Sequence, residues 1–132
     1  PGPYAGMLLS DMGADVVLVD RTEEVEYGYP DYPYRYLYRN RRSVRLDLKS
    51  PEGLAIFRKL VEKADVVVEN YRPDVKFRLG VDYESLKKVN KRIILASVSG
   101  FGQDGPWAAR PAFDEVVQAA SGLASAIGTA LR

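Results

Sequence analysis

The chain alternates between short, continuous apolar runs and longer segments in which apolar residues recur at helical spacing. Val16-Val17-Leu18-Val19 lies between Asp15 and Asp20, Val66-Val67-Val68 lies between Asp65 and Glu69, and a third run spans Ile93 to Val98. Runs of this length with no polar alternation suit strands covered on both faces, as in parallel sheets. Ser43 to Leu48 instead alternates, with Val44, Leu46 and Leu48 set against Arg45 and Asp47, the mark of a strand with one buried face. Between these runs lie helical patterns. Tyr4, Met7, Leu8 and Met12 form a short stripe that Gly13 ends. Ser50-Pro51-Glu52-Gly53 is a helix start with Ser50 as N-cap and Pro51 in the first turn, and Leu54, Ile56, Phe57, Leu60 and Val61 follow at core spacing. Pro73 opens a short helical piece through Arg78 that stops at Gly80. Asp82 caps another piece containing Leu86 and Val89, and Val116, Val117 and Ala120 mark a helix over 113–126. Residues 21–40 show neither period, but hold six of the nine tyrosines between Tyr27 and Tyr38, along with Pro30 and Pro33.

Buried strands alternating with helices predict βαβ units, hence an α/β fold with a mostly parallel sheet flanked by helices. Strands are expected near 16–20, 65–69 and 93–98. Pro1 falls in a loop already entering a helix, and Leu131-Arg132 come soon after a helical pattern, so the fold reads as truncated at both ends. No internal repeat or domain boundary is visible. In such sheets ligands bind outside the carboxyl ends of the strands. Here those ends are Asp20-Arg21, Glu69-Asn70-Tyr71-Arg72 and Ser99-Gly100-Phe101-Gly102.

Composition narrows the chemistry. The 132 residues are 46% apolar and 28% charged with net charge +1, so no global field draws the chain to nucleic acid or to a membrane surface. No apolar run reaches the roughly 18–20 residues of a membrane span, and no signal segment opens the chain. Cysteine and histidine are both absent, which removes disulfides, thiolate nucleophiles, Cys/His metal sites and every mechanism with a histidine base. No metal is expected, and the cytoplasm is the expected compartment.

Four constellations carry candidate chemistry. Asp20-Arg21 at a strand end offers an acceptor for a ribose hydroxyl and a cation for phosphate, against the plainer reading of a solvated charge pair. Arg35, Arg39, Arg41, Arg42 and Arg45, five arginines in eleven residues interleaved with tyrosine, suit a compact polyphosphate or single-stranded nucleic acid, against a solvated surface. Glu69-Asn70-Tyr71-Arg72-Pro73 delivers an amide, a ring and a guanidinium to one strand end. Ser97 to Pro106 is glycine-rich and allows close backbone approach to a ligand, yet lacks the Gly-Lys-Ser/Thr ending of a Walker loop.

Taken together the motifs resemble the family III CoA-transferases, the CaiB/BaiF group that also includes 2-methylacyl-CoA racemases. The matching stretches are Gly2-Pro3-Tyr4-Ala5-Gly6-Met7-Leu8-Leu9, Gly13-Ala14-Asp15-Val16, Asn40-Arg41-Arg42-Ser43, Leu46 through Gly53, Ala64 through Pro73, Ser99-Gly100-Phe101-Gly102-Gln103, and Phe113-Asp114 with Gln118-Ala119-Ala120-Ser121-Gly122. Their order and spacing, over nearly the whole chain outside the tyrosine-rich insert, make the resemblance specific.

The resemblance implies that residues 1–132 are part of a CoA-binding, Rossmann-like large domain, with a first strand before Pro1 and a small domain elsewhere, in an interlocked homodimer. It implies CoA contacts at Arg21, Leu46, Lys49, Asn70, Tyr71 and Arg78. Arg21, Lys49 and Arg78 would meet the phosphates, Leu46 and Tyr71 the adenine, and Asn70 would supply amide hydrogen bonds. The implied activity moves CoA between an acyl-CoA and a carboxylic acid through a covalent aspartyl intermediate. The nucleophilic aspartate is expected beyond Arg132, so no catalytic residue is assigned to 1–132 and this stretch alone is expected to be inactive; Asp114 is assigned to the helix start. The racemases carry a histidine where Phe113 stands, which favours transfer over racemisation. From a different class, a non-catalytic nucleotide- or RNA-binding module using the Arg/Tyr segment remains the rival.

Overall fold

The computed structural model describes residues 1–22 and 35–130. Arg35 enters it by its backbone alone, and the tyrosines at 27, 29, 32 and 34 lie outside it.

In chain order the elements are α1 (Gly2–Asp11), β1 (Val17–Asp20), a 3-10 turn (Arg35–Tyr38), β2 (Arg42–Arg45), α2 (Pro51–Val61), β3 (Val66–Glu69), α3 (Pro73–Leu79), α4 (Tyr83–Lys87), β4 (Ile94–Ser97), α5 (Asp114–Ala120) and α6 (Leu123–Ala130). The α/β class and the parallel pairing agree with the sequence reading. The pairing is divided, however: β1 pairs with β2 and β3 with β4, as two separate parallel pairs among the described residues. In register, Val19 stands beside Val44 and Asp20 beside Arg45. Val67 stands beside Leu95 and Glu69 beside Ser97.

Both pairs share one core. Leu46, Phe57, Val61, Val81, Leu86 and Ile93 form its buried centre, with Val19 and Val44 from one strand pair and Val67 and Leu95 from the other packed against it. The face of α2 that enters it follows from its cap. The Ser50 hydroxyl accepts the Gly53 N–H at 3.0 Å and donates to the Asp47 carbonyl at 2.8 Å. The helix therefore begins directly against the end of β2. A Cβ on Gly53 would fall on the Asp47 carbonyl, so only glycine fits the first turn there. Pro73 begins α3, and Gly80, with φ +66°, ends it in the left-handed conformation. Asp82 caps α4 by accepting from the Ser85 N–H at 3.1 Å and hydroxyl at 2.7 Å.

Several faces differ from the periodic reading. Ile56 is exposed while Phe57 and Val61 are buried, because α2 meets the core along a narrow stripe. In α1 the buried positions are Gly6, Met7 and Ser10, not Tyr4, Leu8 and Met12, since a small-residue face lets the helix approach the 39–41 segment. The helix expected over 113–126 is two helices, broken at Ser121-Gly122, where Gly122 takes φ +80°; Val116 and Val117 on α5 are exposed. Val66 and Ile94, register partners at the start of their strands, are exposed too. The β3–β4 pair is thus covered on one face among the described residues, not on both. The alternating strand expected through Leu48 ends at Arg45, after which Asp47 turns the chain into the α2 cap.

Leu86 is 1% exposed at the centre of the shared core. Its replacement by alanine should cost about 2–5 kcal/mol, the usual range for a buried leucine, read as a lower urea midpoint with unchanged slope.

Candidate functional site

Parallel pairing sends the carboxyl ends of all four strands into the loops that carry the polar motifs. At the end of β1, the Asp20 carboxylate accepts the Arg21 backbone N–H at 2.8 Å, leaving the Arg21 guanidinium exposed. The Asp20 carbonyl accepts the Leu46 N–H at 2.9 Å, which ties the end of β1 to the residue after β2. One residue further, Asp47 accepts the Lys49 N–H at 2.9 Å. Lys49 therefore sits on a tight turn with its side chain in solvent.

At the end of β3, Glu69 is 6% exposed and accepts the Tyr71 N–H at 2.8 Å. Asn70 points outward between them, against the start of α1: a Cβ on Gly2 would come within 2.5 Å of its side-chain oxygen. Tyr71 is half-buried and packs on the core. Burial pushes its hydroxyl above the ordinary phenol range. The Arg21 cation acts in the opposite sense, and the Glu69 and Asp20 carboxylates add to the rise. Arg21, Asp20, Glu69 and Tyr71 thus share one electrostatic neighbourhood. On α3, Asp74 pairs with Arg78 at 3.3 Å and with Arg72 at 3.8 Å, all three in solvent.

The structure therefore gathers Arg21 and Tyr71, sets Asn70 beside the α1 start, and holds Lys49 on the turn after β2. Arg78 stands on α3 in contact with Asp74. Leu46 is 8% exposed and part of the core centre. Alternation along β2 turns Val44 and Leu46 to the same inner face, so what Leu46 can offer a ligand is backbone and not a free apolar surface.

The arginine cluster is largely structural. Arg39 holds Asp11 through two guanidinium hydrogen bonds, which keep the Asp11 carboxyl below the usual carboxylate range. Asn40, at φ +57°, adds a third bond to Asp11. Arg41 donates to the Pro3 carbonyl at 2.6 Å, under the Tyr38 ring at 5.5 Å, with Gly6 leaving it room. Arg42 pairs with Asp15. Three of the five arginines fasten the chain to α1 and its following turn, and so are not arrayed along a polyanion.

A buried polar group that the sequence did not signal lies behind these residues. The Lys76 ammonium donates to the Ser97 hydroxyl at 3.0 Å and to the Gln103 side-chain carbonyl, and stands 3.6 Å from Glu69. The Gln103 amide donates to the Ser99 hydroxyl at 2.9 Å. Lys76 reads in sequence as a solvated helix cation because α3, at seven residues, is too short for periodicity to assign its faces. Farther along the same loop, the Gly100 backbone lies against Ala112 with no space for a Cβ. Phe113, the residue after Ala112, is exposed. Among the described residues no group of three or more carboxylates is placed to hold a metal, and no helix is long and apolar enough to cross a membrane.

The fold and site define a parallel α/β protein with its exposed cations, an amide and an aromatic ring at the carboxyl ends of the strands. Residues 1–132 match the family model described as CoA-transferase family III, and the chain belongs to that family. It is 42% identical to the succinate–glutarate CoA-transferase of Agrobacterium fabrum, covering 96% of this chain and 36% of that protein. It is also 42% identical to the acetyl-CoA:oxalate CoA-transferase of Acetobacter aceti, covering 96% and 35%. A crystal structure of a CaiB/BaiF family protein from Brucella suis superposes with a TM-score of 0.81 at 36% identity, over 91% of this chain and 35% of that one. The chain spans about a third of the length of the curated relatives it matches.

The raised Tyr71 hydroxyl has a consequence for stability. The folded state holds this proton more tightly than the unfolded chain, so the contribution is full below the ordinary tyrosine pKa of about 10 and is lost as pH rises through the folded value. A near-ultraviolet difference titration of the protein against Tyr71→Phe should show the Tyr71 phenol ionising above the ordinary tyrosine range. The variant should also lose less stability than the parent on the alkaline side.

Proposed function

We propose that this chain contributes the CoA-binding part of an enzyme that moves CoA between an acyl-CoA and a carboxylic acid. The observation that supports this most directly is the assembly of exposed Arg21, half-buried Tyr71 and outward Asn70 at adjoining strand ends. A guanidinium meets phosphate oxygens, an amide satisfies donors and acceptors of a nucleotide or pantetheine chain, and a ring offers a stacking face. Lys49 and Arg78 supply further cations at the rim, and Leu46 supplies backbone. The relatives from Agrobacterium fabrum and Acetobacter aceti are a succinate–glutarate and an acetyl-CoA:oxalate CoA-transferase. By that likeness the acyl donor and acceptor here are small carboxylic acids.

In this reading an aspartate carboxylate, expected beyond Arg132, attacks the thioester carbonyl. The C–S bond breaks, CoA leaves as thiolate and a mixed anhydride forms. The thiolate then attacks the aspartyl carbonyl, releasing the donor acid and leaving an aspartyl-CoA thioester, and the reverse sequence with the acceptor acid completes transfer. Residues 1–132 act by binding and orienting CoA. Phe113 stands where the related racemases carry histidine, and a phenyl ring exchanges no proton, which favours transfer. The proposal extends to a homodimer with a Rossmann-like large domain, working in the cytoplasm. The RNA-binding alternative is disfavoured, since Arg39, Arg41 and Arg42 are engaged with Asp11, Pro3 and Asp15.

In the full-length protein, Arg21→Ala and Asn70→Ala should each weaken CoA by about 1–3 kcal/mol, the cost of removing a hydrogen-bond partner to a charged or buried group. Isothermal titration with CoA measures this, and unchanged affinity in both variants would remove the binding assignment.

A further inference from the structure

Lys76 is 7% exposed, and a buried ammonium needs partners for its three N–H groups. Its partners come from three separate segments. Ser97 is the last residue of β4, at 3.0 Å. Gln103 lies six residues further along the following loop. Glu69 is the last residue of β3, with its Oε1 at 3.6 Å. That Glu69 oxygen is buried with no hydrogen-bond partner, so the Lys76 charge is its compensation. The other Glu69 oxygen holds the Tyr71 N–H at 2.8 Å. On the loop side, Gln103 passes the connection to Ser99, whose hydroxyl donates to the Gly102 carbonyl at 2.7 Å. The loop contains Gly102 and Gly105 at φ +86° and +91°. Its backbone is thus intrinsically free, and Gln103 is the side chain that fastens it inward.

We infer that Lys76 is a positioning residue of the CoA cleft: it locks the 98–105 loop and helix α3 to the end of β3, and so fixes the Asn70–Tyr71 edge against that loop. This rests on the CoA-binding reading above. Asn70 and Tyr71 directly follow the carboxylate that Lys76 faces, and Arg78 lies two residues beyond Lys76 on the same helix. Movement of the ammonium would therefore shift three of the assigned contacts at once. The plainer alternative is that Lys76 only neutralises Glu69. The two are separable, because removing both charges restores a satisfied interior without restoring the bond to Gln103.

The test uses the full-length protein with Lys76→Met, Glu69→Gln/Lys76→Met and Gln103→Leu. Trp107, on the same loop and edge-on to Phe101 at 5.5 Å, reports loop position through 5-fluorotryptophan 19F NMR, its line assigned by loss in Trp107→Phe. Lys76→Met should melt lower and bind CoA on the order of tenfold more weakly, the equivalent of one charged hydrogen bond. The double variant should regain melting temperature but keep the weak CoA binding, a raised KM with kcat little changed, and a displaced 19F line. Gln103→Leu, which leaves the buried pair intact, should reproduce the weak binding and the displaced line. Recovery of CoA affinity together with stability in the double variant would overturn the inference, as would a 19F line unmoved in all three variants. If the unaltered protein binds no CoA, the functional reading fails, while the 19F comparison still decides whether Lys76 anchors the loop.

Discussion

Parallel strand pairing is the constraint from which the rest of this structure follows. Two parallel neighbours cannot be joined by a tight turn, so the chain must cross over between them. The crossover from β3 to β4 carries α3 and α4, which bring Val81 and Leu86 onto the core face. The segment after β1 returns through the 3-10 turn, where Arg39, Asn40 and Arg41 fasten it to α1. Because β1 runs parallel to β2 and β3 to β4, each pair delivers the polar residues at its carboxyl ends together. Tyr71 and the loop after Ser97 follow neighbouring parallel strands, and the Arg21 cation acts on Tyr71, before any ligand is considered.

Two kinds of polar grouping support these strand ends. Around α1 the contacts are solvent-exposed or partly so: Asp11 with Arg39 and Asp15 with Arg42 are pairs of the sort that contribute little individually. They act mainly by fixing where the 39–42 segment enters β2. Behind the strand ends, Glu69 and Lys76 are buried with side chains only 5% and 9% exposed. A pair of this kind adds little net stability compared with apolar packing, but breaking one half of it is costly. Its value lies in restricting geometry, and it sits directly beneath the residues assigned to CoA.

Membership of CoA-transferase family III gives this geometry a chemical sense. The exposed Arg21, the amide of Asn70 and the half-buried ring of Tyr71 are the groups on which the proposed CoA-binding reading rests. Ala112, packed against the Gly100 backbone, precedes the exposed Phe113.

Much of this was legible in the chain itself. Valine-rich runs bounded by acids gave β1 and β3, the apolar run from Ile93 gave β4, and the Ser50-Pro51-Glu52-Gly53 start gave α2, because strand burial and helix capping are local rules written in adjacent residues. The family motifs likewise placed Arg21, Asn70 and Tyr71 at strand ends. Other features depended on partners distant in sequence. Ile56 and Phe57 are neighbours of equal apolarity, and only the position of the core decided which one is buried. Three arginines that looked like one cationic surface were divided among Asp11, Pro3 and Asp15 by the packing of α1. Leu46 became core because β2 pairs with β1 and turns that face inward. Lys76 looked like any helix lysine until the return of β4 and its loop enclosed it. Local order follows from residue type and spacing, whereas burial and charge pairing are properties of residues brought together by the fold.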